Sequence, residues 1–154
     1  MWISCDKEKY GAGDEVKVEI GMGLGKQVKA RGLYATLVCM ERERISNSRV
    51  MDQYDYDRQK EMGIVKSTNV YTETREETRE RFKQEKKVSG PGFYSEETFK
   101  VAFTLPADAP PTSHEFGHDS KITEWKILLK LDIPMAPDKN DEVEVFVTGL
   151  GGYD

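Results

Sequence analysis

Residues 99–112 read Phe-Lys-Val-Ala-Phe-Thr-Leu-Pro-Ala-Asp-Ala-Pro-Pro-Thr, and with the strand pattern that follows they decide the fold. From Phe99 to Leu105 every second side chain is large and apolar, which is the two-residue period of a half-buried β-strand. A second run with this period extends from Trp125 to Ile133. The three prolines between the runs lack a backbone donor, so the connection cannot continue a hydrogen-bonded ladder. We therefore predict one half of a β-sandwich, with a turn built from prolines.

Other segments carry the same period. Trp2 to Asp6 predicts a short strand, and Val16 to Met22 alternates apolar with charged residues. The run Leu33 to Met40 is apolar on both faces, as expected for a central strand covered from both sides. A last strand extends from Glu142 to Thr148. About seven such strands without a convincing helix predict an all-β, immunoglobulin-like antiparallel β-sandwich.

Two segments are harder to assign. Residues 46–66 are polar and have few aliphatic anchors, so we expect a long surface loop. The glutamates and arginines of Thr68 to Val88 suit a helix. However, Thr74, Thr78 and Phe82 fall on even positions, and the charged residues on odd positions are Glu73, Arg75, Glu77, Arg79 and Arg81. This period favours a long strand.

Length and composition restrict the class of protein. The 154 residues suffice for one domain with its own core, which we place at 1–154. A net charge of −5 argues against a nucleic-acid partner, for which a basic surface is expected. No apolar run reaches the roughly 20 residues of a membrane span. Met1 to Asp6 lacks the basic and apolar regions of a signal peptide, so we expect a cytoplasmic protein.

The two cysteines, Cys5 and Cys39, are expected to be free buried thiols, since cysteine is among the most buried residue types. A disulfide between them is the alternative, although nothing in the sequence indicates an exported protein. A catalytic thiol is disfavoured because neither cysteine has a histidine next to it in the sequence. We expect no catalytic residue and no cofactor.

Three motifs in order, together with the Ala30 to Cys39 strand, resemble the arrestin-like family. Tyr10 to Val16 is similar to the family's Tyr-x-x-Gly-Glu-x-Val turn, and Phe99 to Pro111 is similar to its Phe-x-Phe-x-Leu-Pro strand and Pro-Pro-Ser turn. Ile122 to Ile127 is similar to its Ile-x-Tyr-x-Leu strand. The departures are conservative, because Asp14 stands for Glu and Trp125 for Tyr. Thr112 likewise stands where the family has Ser.

The resemblance implies a single arrestin-type β-sandwich. It is similar to one lobe of arrestins, of the retromer arrestin-like subunit and of the bacterial sporulation-control protein. Such a domain is implied to be a non-enzymatic interaction or scaffold module with a protein partner, in trafficking, membrane-associated regulation or stress control. Those relatives contain two sandwiches and this chain has the length of one, so a homodimer that recreates a two-lobed body is a hypothesis.

A sheet edge provides a physical route to binding. An exposed edge offers unpaired N–H and C=O groups to which an extended peptide can add as a strand. The Thr68 to Val88 strand is the candidate platform. Its arginines Arg75, Arg79 and Arg81 share a face and could bind acidic or phosphorylated segments. The glutamates between them favour the alternative that these arginines serve solubility.

The histidines suggest a competing function. His114-Glu115-Phe116-Gly117-His118 matches the His-Glu-x-x-His motif of zinc proteases, and His114 and His118 are the only histidines. The motif requires a helix, which Pro110, Pro111 and Gly117 disfavour. No third histidine is present. A solvated loop is therefore the favoured interpretation of this segment. A metal-dependent hydrolase that uses His114, Glu115 and His118 is the alternative function.

Overall fold

The computed structural model describes residues 1–50, 70–116 and 120–149, with side chains described outside 46–50 and 70–73. Within these ranges the chain forms nine β-strands and no helix. The strands are β1 (Trp2–Cys5), β2 (Glu15–Gly21), β3 (Val28–Ala30), β4 (Gly32–Val50), β5 (Val70–Ser89), β6 (Gly92–Tyr94), β7 (Thr98–Thr104), β8 (Lys121–Asp132) and β9 (Lys139–Val145).

The strands form two main sheets. One has the order β1-β2-β7 and the other has the order β5-β4-β8-β9, while β3 and β6 form a short third sheet. All pairings between named strands are antiparallel. Alternate residues of β2, β4 and β8 belong to a shared hydrophobic core, because each of these strands presents one face to it. These observations confirm the prediction of an all-β antiparallel sandwich.

The core is built from the residues that the alternating pattern predicts. In β8, Trp125, Ile127 and Leu131 are fully buried, and Phe103 of β7 is too. In β4, Thr36 and Val38 are buried along with the opposite-face residues, as expected for a central strand with two covered faces. The largest fully buried side chains are Trp125, Tyr10, Phe103, Ile20, Met22, Leu33, Leu37, Leu105, Ile127, Leu129, Leu131 and Val16.

The proline segment leaves the ladder, as predicted, and carries the chain from one sheet to the other. Strand β7 pairs with β2, and β8 pairs with β4 and β9. The backbone of this segment is held by the second sheet, since Trp125 Nε1 donates to the Pro110 carbonyl at 2.9 Å and Thr112 N donates to the Val147 carbonyl at 2.8 Å. Prolines suit such a crossing because they cannot extend the ladder that they leave.

The turn before β2 is hydrogen-bonded to the segment that follows β7. Gly13 has φ of 82°, a left-handed conformation that favours glycine, and its N–H donates to the Pro106 carbonyl. The Asp14 carboxylate accepts from Gly11 N at 2.7 Å. Tyr10 is buried, and its hydroxyl donates to Asp6 at 2.6 Å. The first family-like motif is therefore a hydrogen-bonded turn that closes one end of the sandwich.

Strands β4 and β5 form one long hairpin ladder. The predicted strand over Thr68 to Val88 is confirmed from Val70 onward. The expected loop at 46–66 is wrong for residues 46–50, which continue β4 and pair with 70–74 of β5. Pairing with β5 satisfies the backbone groups on one side of this polar stretch, which forms a strand without apolar anchors. The remainder of the expected loop, 51–66, lies outside the described residues.

Strand β5 contains two register shifts against β4. Cys39 pairs with Phe82 and Met40 with Glu80, so Arg81 is an extra residue. A second shift leaves Val88 as an extra residue. Because a bulge exchanges the two faces of a strand, the predicted sharing of a face by Phe82 and Thr78 is wrong. Phe82 lies on the core face and contacts the Trp125 ring, with centroids 5.7 Å apart.

Helices capable of crossing a membrane do not occur in the ranges that the structure describes.

Candidate functional site

Strand β5 lies at an edge of the four-stranded sheet. It pairs with β4 along one side, and no strand in the described ranges pairs with its other side. With 20 residues it is longer than the other described strands. The structure thus places the predicted platform at an edge, where backbone N–H and C=O groups are available to another chain.

The two bulges divide this edge into regular stretches, one from Val70 to Glu80 and one from Phe82 to Lys87, and the second of these carries the lysines of β5. Pairing of the second stretch with β4 puts Phe82, Gln84 and Lys86 on the core face and the other three residues on the outer face. Phe82 is half-buried and Gln84 is exposed. We call this stretch the β5 edge segment. It offers one continuous pleated run to an incoming strand.

The edge strands β5 and β7 belong to different sheets and do not pair, and we call the side of the sandwich between them the open side. Lys86 spans this open side. Its ammonium group donates to the Ala102 carbonyl of β7 and lies 5.2 Å from the centroid of the Phe103 ring. This contact bridges the two sheets where no strand pairing joins them. A lysine on an edge also hinders unwanted pairing with other chains.

The outer face of the β5 edge segment is positively charged. Lys83 and Lys87 are exposed and form no ion pair with any residue that the structure describes. With Glu85 between them, the outer face of the segment has a net charge of +1, although the whole chain has a net charge of −5. The edge is therefore a basic region on an acidic protein.

A buried carboxylate, which the sequence analysis did not single out, lies next to this region. The side chain of Glu41 in β4 is 3% exposed. Arg79 donates to Glu41 Oε1 from Nε at 3.0 Å and from Nη2 at 2.6 Å, and Arg81 Nη1 donates to Oε2 at 2.9 Å. Lys121 Nζ lies 3.8 Å from Oε1. The bulge brings two arginines of one strand to a single carboxylate.

Electrostatics keeps Glu41 ionised. Burial raises the pKa of the Glu41 carboxyl, but the hydrogen bond from Arg79 and the charges of Arg81 and Lys121 outweigh burial and leave the pKa below its ordinary value. The group is thus a permanent negative charge near neutral pH. The period of β4 contained a signal for its position, since Glu41 continues the buried series Leu37 and Cys39 on the core face.

The three predicted partner-binding arginines all contact carboxylates of this chain. Arg79 and Arg81 converge on Glu41, while Arg75 Nη2 lies 3.2 Å from Glu77. The guanidinium-bearing side chains of Arg79 and Arg81 are still 55% and 42% exposed. Their role in partner binding stays a prediction, and the ion pairs show an additional structural role for two of them.

The histidine motif is described only in part. His114 and Glu115 lie in a bend, and His118 lies outside the described residues. His114 Nε2 is 2.5 Å from a Glu144 oxygen, and its ring lies 6.3 Å from that of Phe146. Among the described residues, no group of three potential ligands could hold a metal ion. Metal binding by His114 and His118 stays a hypothesis.

Both cysteines are free, as predicted. Cys39 is buried and Cys5 is half-buried. Burial raises the pKa of the Cys39 thiol to about 11 and also raises the pKa of Cys5. Neither thiol is activated toward nucleophilic chemistry, because the reactive thiolate is disfavoured in both.

Comparisons with known proteins agree with this architecture. The family described as arrestin (or S-antigen), N-terminal domain, matches residues 2–151. Solved structures that resemble the chain include Spo0M, a sporulation control protein from Bacillus subtilis, with a TM-score of 0.60 and 20% identity over 96% of this chain. The match spans 48% of the Spo0M chain, about half its length. No curated protein sequence matches. The resemblance seen in the sequence is confirmed, and the chain belongs to the arrestin N-terminal domain family.

Proposed function

We propose that this protein is a non-enzymatic interaction module that binds an extended segment of a protein partner along the free edge of β5. Membership of the arrestin N-terminal domain family supports a non-enzymatic interaction or regulatory module in general. The observation that carries the finer proposal is the 20-residue strand paired on one side only. A setting in trafficking or regulation rests on the family resemblance alone.

Strand addition suits this edge physically. Main-chain hydrogen bonds to β5 supply affinity, and alternate side chains supply specificity. The two bulges and the charged side chains of β5 disfavour pairing of the strand with a copy of itself. The edge can therefore remain available to a partner without becoming a site of aggregation.

The experiment is a selection of random peptides on the full chain, followed by backbone methylation of the selected peptides. In an added strand, alternate residues point their N–H groups toward β5. Methylation of one alternate set of nitrogens should abolish binding, while methylation of the other set should leave it unchanged. Amide resonances of residues 82–87 should shift when the unmodified peptide binds.

Two results would contradict the proposal. Selected peptides could bind equally well with either set of nitrogens methylated, which would show that main-chain pairing is not used. Alternatively, the perturbed amides could lie on β1 or β9 rather than β5.

A further inference from the structure

We propose that the β5 edge segment selects an extended peptide with acidic side chains four residues apart followed directly by an apolar residue. This inference rests on the proposed strand addition and names the chemistry of the occupant. It follows from three features of the edge: its length between bulges, the cations that remain available, and the character of its core face.

The bulges define the length of the site. A bulge disrupts the regular ladder and bends the strand, so an added strand that covers Phe82 can follow β5 without interruption from Phe82 to Lys87 and no further. Six residues match the usual length of a strand. Antiparallel addition continues the pattern of this sheet, in which every pair is antiparallel, and is slightly more stable per residue than parallel pairing.

The available cations are the lysines of the outer face. Arg79 and Arg81 are held by the buried carboxylate of Glu41, and Lys86 is held by the Ala102 carbonyl. Lys83 and Lys87 form no ion pair within the described ranges. Glu85 lies between them on the same face. Directly opposed charges of unlike sign stabilise a strand pair and those of like sign destabilise it. The residues opposite Lys83, Glu85 and Lys87 should therefore be acidic, basic and acidic, respectively.

The core face of the segment is apolar at one end. Phe82 is half-buried and packs on Trp125, so part of its apolar surface remains accessible. A β-branched or aromatic residue opposite Phe82 would cover that surface, and aromatic pairs with such residues are among the favourable cross-strand contacts. Gln84 and Lys86 on the same face favour a small polar residue opposite each of them.

An antiparallel strand meets these positions in reverse order. Its residues lie opposite Lys87, Lys86, Glu85, Gln84, Lys83 and Phe82 in turn, which gives the pattern Glu-Thr-Lys-Thr-Glu-Val. The charge-inverted peptide Lys-Thr-Glu-Thr-Lys-Val has the same backbone, the same β-propensity and the same apolar residue. The pair isolates the charge pattern from strand addition itself.

The test is a titration of the full chain with each fluorescently labelled peptide, together with amide shifts of the isotope-labelled protein. We expect the matched peptide to bind about tenfold more tightly than the inverted one, because three cross-strand charge pairs change sign. The triple variant Lys83→Glu, Glu85→Lys, Lys87→Glu should reverse this preference. Lys100→Glu, on β7 of the other sheet, is the matched surface control and should leave the preference unchanged.

The outcomes separate the two proposals. Equal binding of both peptides with shifts at 82–87 would overturn the charge pattern and leave strand addition intact. Binding that shifts amides of β5 outside 82–87 would overturn the charge pattern alone, whereas binding that shifts amides outside β5, or no binding of either peptide at millimolar concentration, would overturn both. A preference for the matched peptide that persists in the triple variant would also overturn the charge pattern.

Discussion

Glu41 marks the point at which the inner face of the hairpin changes from apolar to charged. Its neighbours toward the core, Leu37 and Cys39, are fully buried, and the carboxylate itself is 3% exposed. A buried charge is tolerated only where partners replace its hydration. Arg79, Arg81 and Lys121 supply those partners, so the ion cluster closes the end of the core.

Replacing Glu41 with Gln should destabilise the fold by about 1–3 kcal/mol near neutral pH, because two arginines lose their ionic acceptor. The pKa of Glu41 is lowered in the folded state, so its contribution is complete above the unfolded pKa of about 4.3 and is lost as pH falls through the folded pKa. The difference between wild type and Glu41→Gln should therefore shrink at acid pH. Urea unfolding at several pH values measures it.

Glu124→Gln is the control for this experiment. Glu124 also contacts an arginine, Arg42, at 3.5 Å, but its side chain is more exposed. Exposed pairs contribute little, so this variant should remain within about 1 kcal/mol of wild type. A Glu41→Gln variant as stable as wild type at neutral pH would show that the cluster does not stabilise the fold.

The histidines lead to a prediction about metal content. His114 lies in a bend and contacts Glu144, which does not provide the helical spacing that the zinc motif requires. We expect the purified protein to contain far less than one zinc per chain, and His114→Ala to leave that content unchanged. Elemental analysis by mass spectrometry measures it. Stoichiometric zinc that His114→Ala removes would instead favour the hydrolase.

At the scale of elements, Lys86 links the edge strands β5 and β7 of the two sheets, and we expect this link to stabilise the fold. Replacement by Met keeps a long apolar stem but removes the hydrogen bond to the Ala102 carbonyl and the contact with the Phe103 ring. We expect a loss of about 1–2 kcal/mol and faster amide hydrogen exchange in β7. Chemical unfolding and exchange mass spectrometry measure these effects.

Lys83→Met is the matched control, since Lys83 lies on the outer face of the same strand and is exposed. It should change stability by no more than about 0.5 kcal/mol. If both variants exchange β7 amides at the wild-type rate, Lys86 does not hold the two sheets together.

The strands could largely be predicted from the sequence, whereas the faces of β5 could not. Alternation identified the cores of β2, β7 and β8, because burial on one side imposes a two-residue period. Alternation failed at Phe82, because a bulge depends on the register with β4 and has no marker in β5 itself. The burial of Glu41 in an ion cluster was not predicted for a related reason, because its basic partners come from two other strands, β5 and β8.

At the scale of the whole molecule, the chain corresponds to one sandwich and matches 48% of the Spo0M chain. The homodimer that would recreate a two-lobed body stays a hypothesis based on length. If it is correct, sedimentation velocity should show a species of twice the chain mass, 17.6 kDa, that increases with concentration. A strict monomer at high protein concentration would remove the hypothesis.

The bulge at Arg81 also bears on how this chain can change its length during evolution. Glu80 and Phe82 already face consecutive residues of β4, Met40 and Cys39, so deletion of Arg81 would leave a continuous ladder with every neighbour on its present face. Deletion of Gln84 would instead move the side chains between position 84 and one of the two bulges to the opposite face of the sheet. Arg81 is thus the position where β5 can lose a residue and keep its core, at the cost of one contact to Glu41.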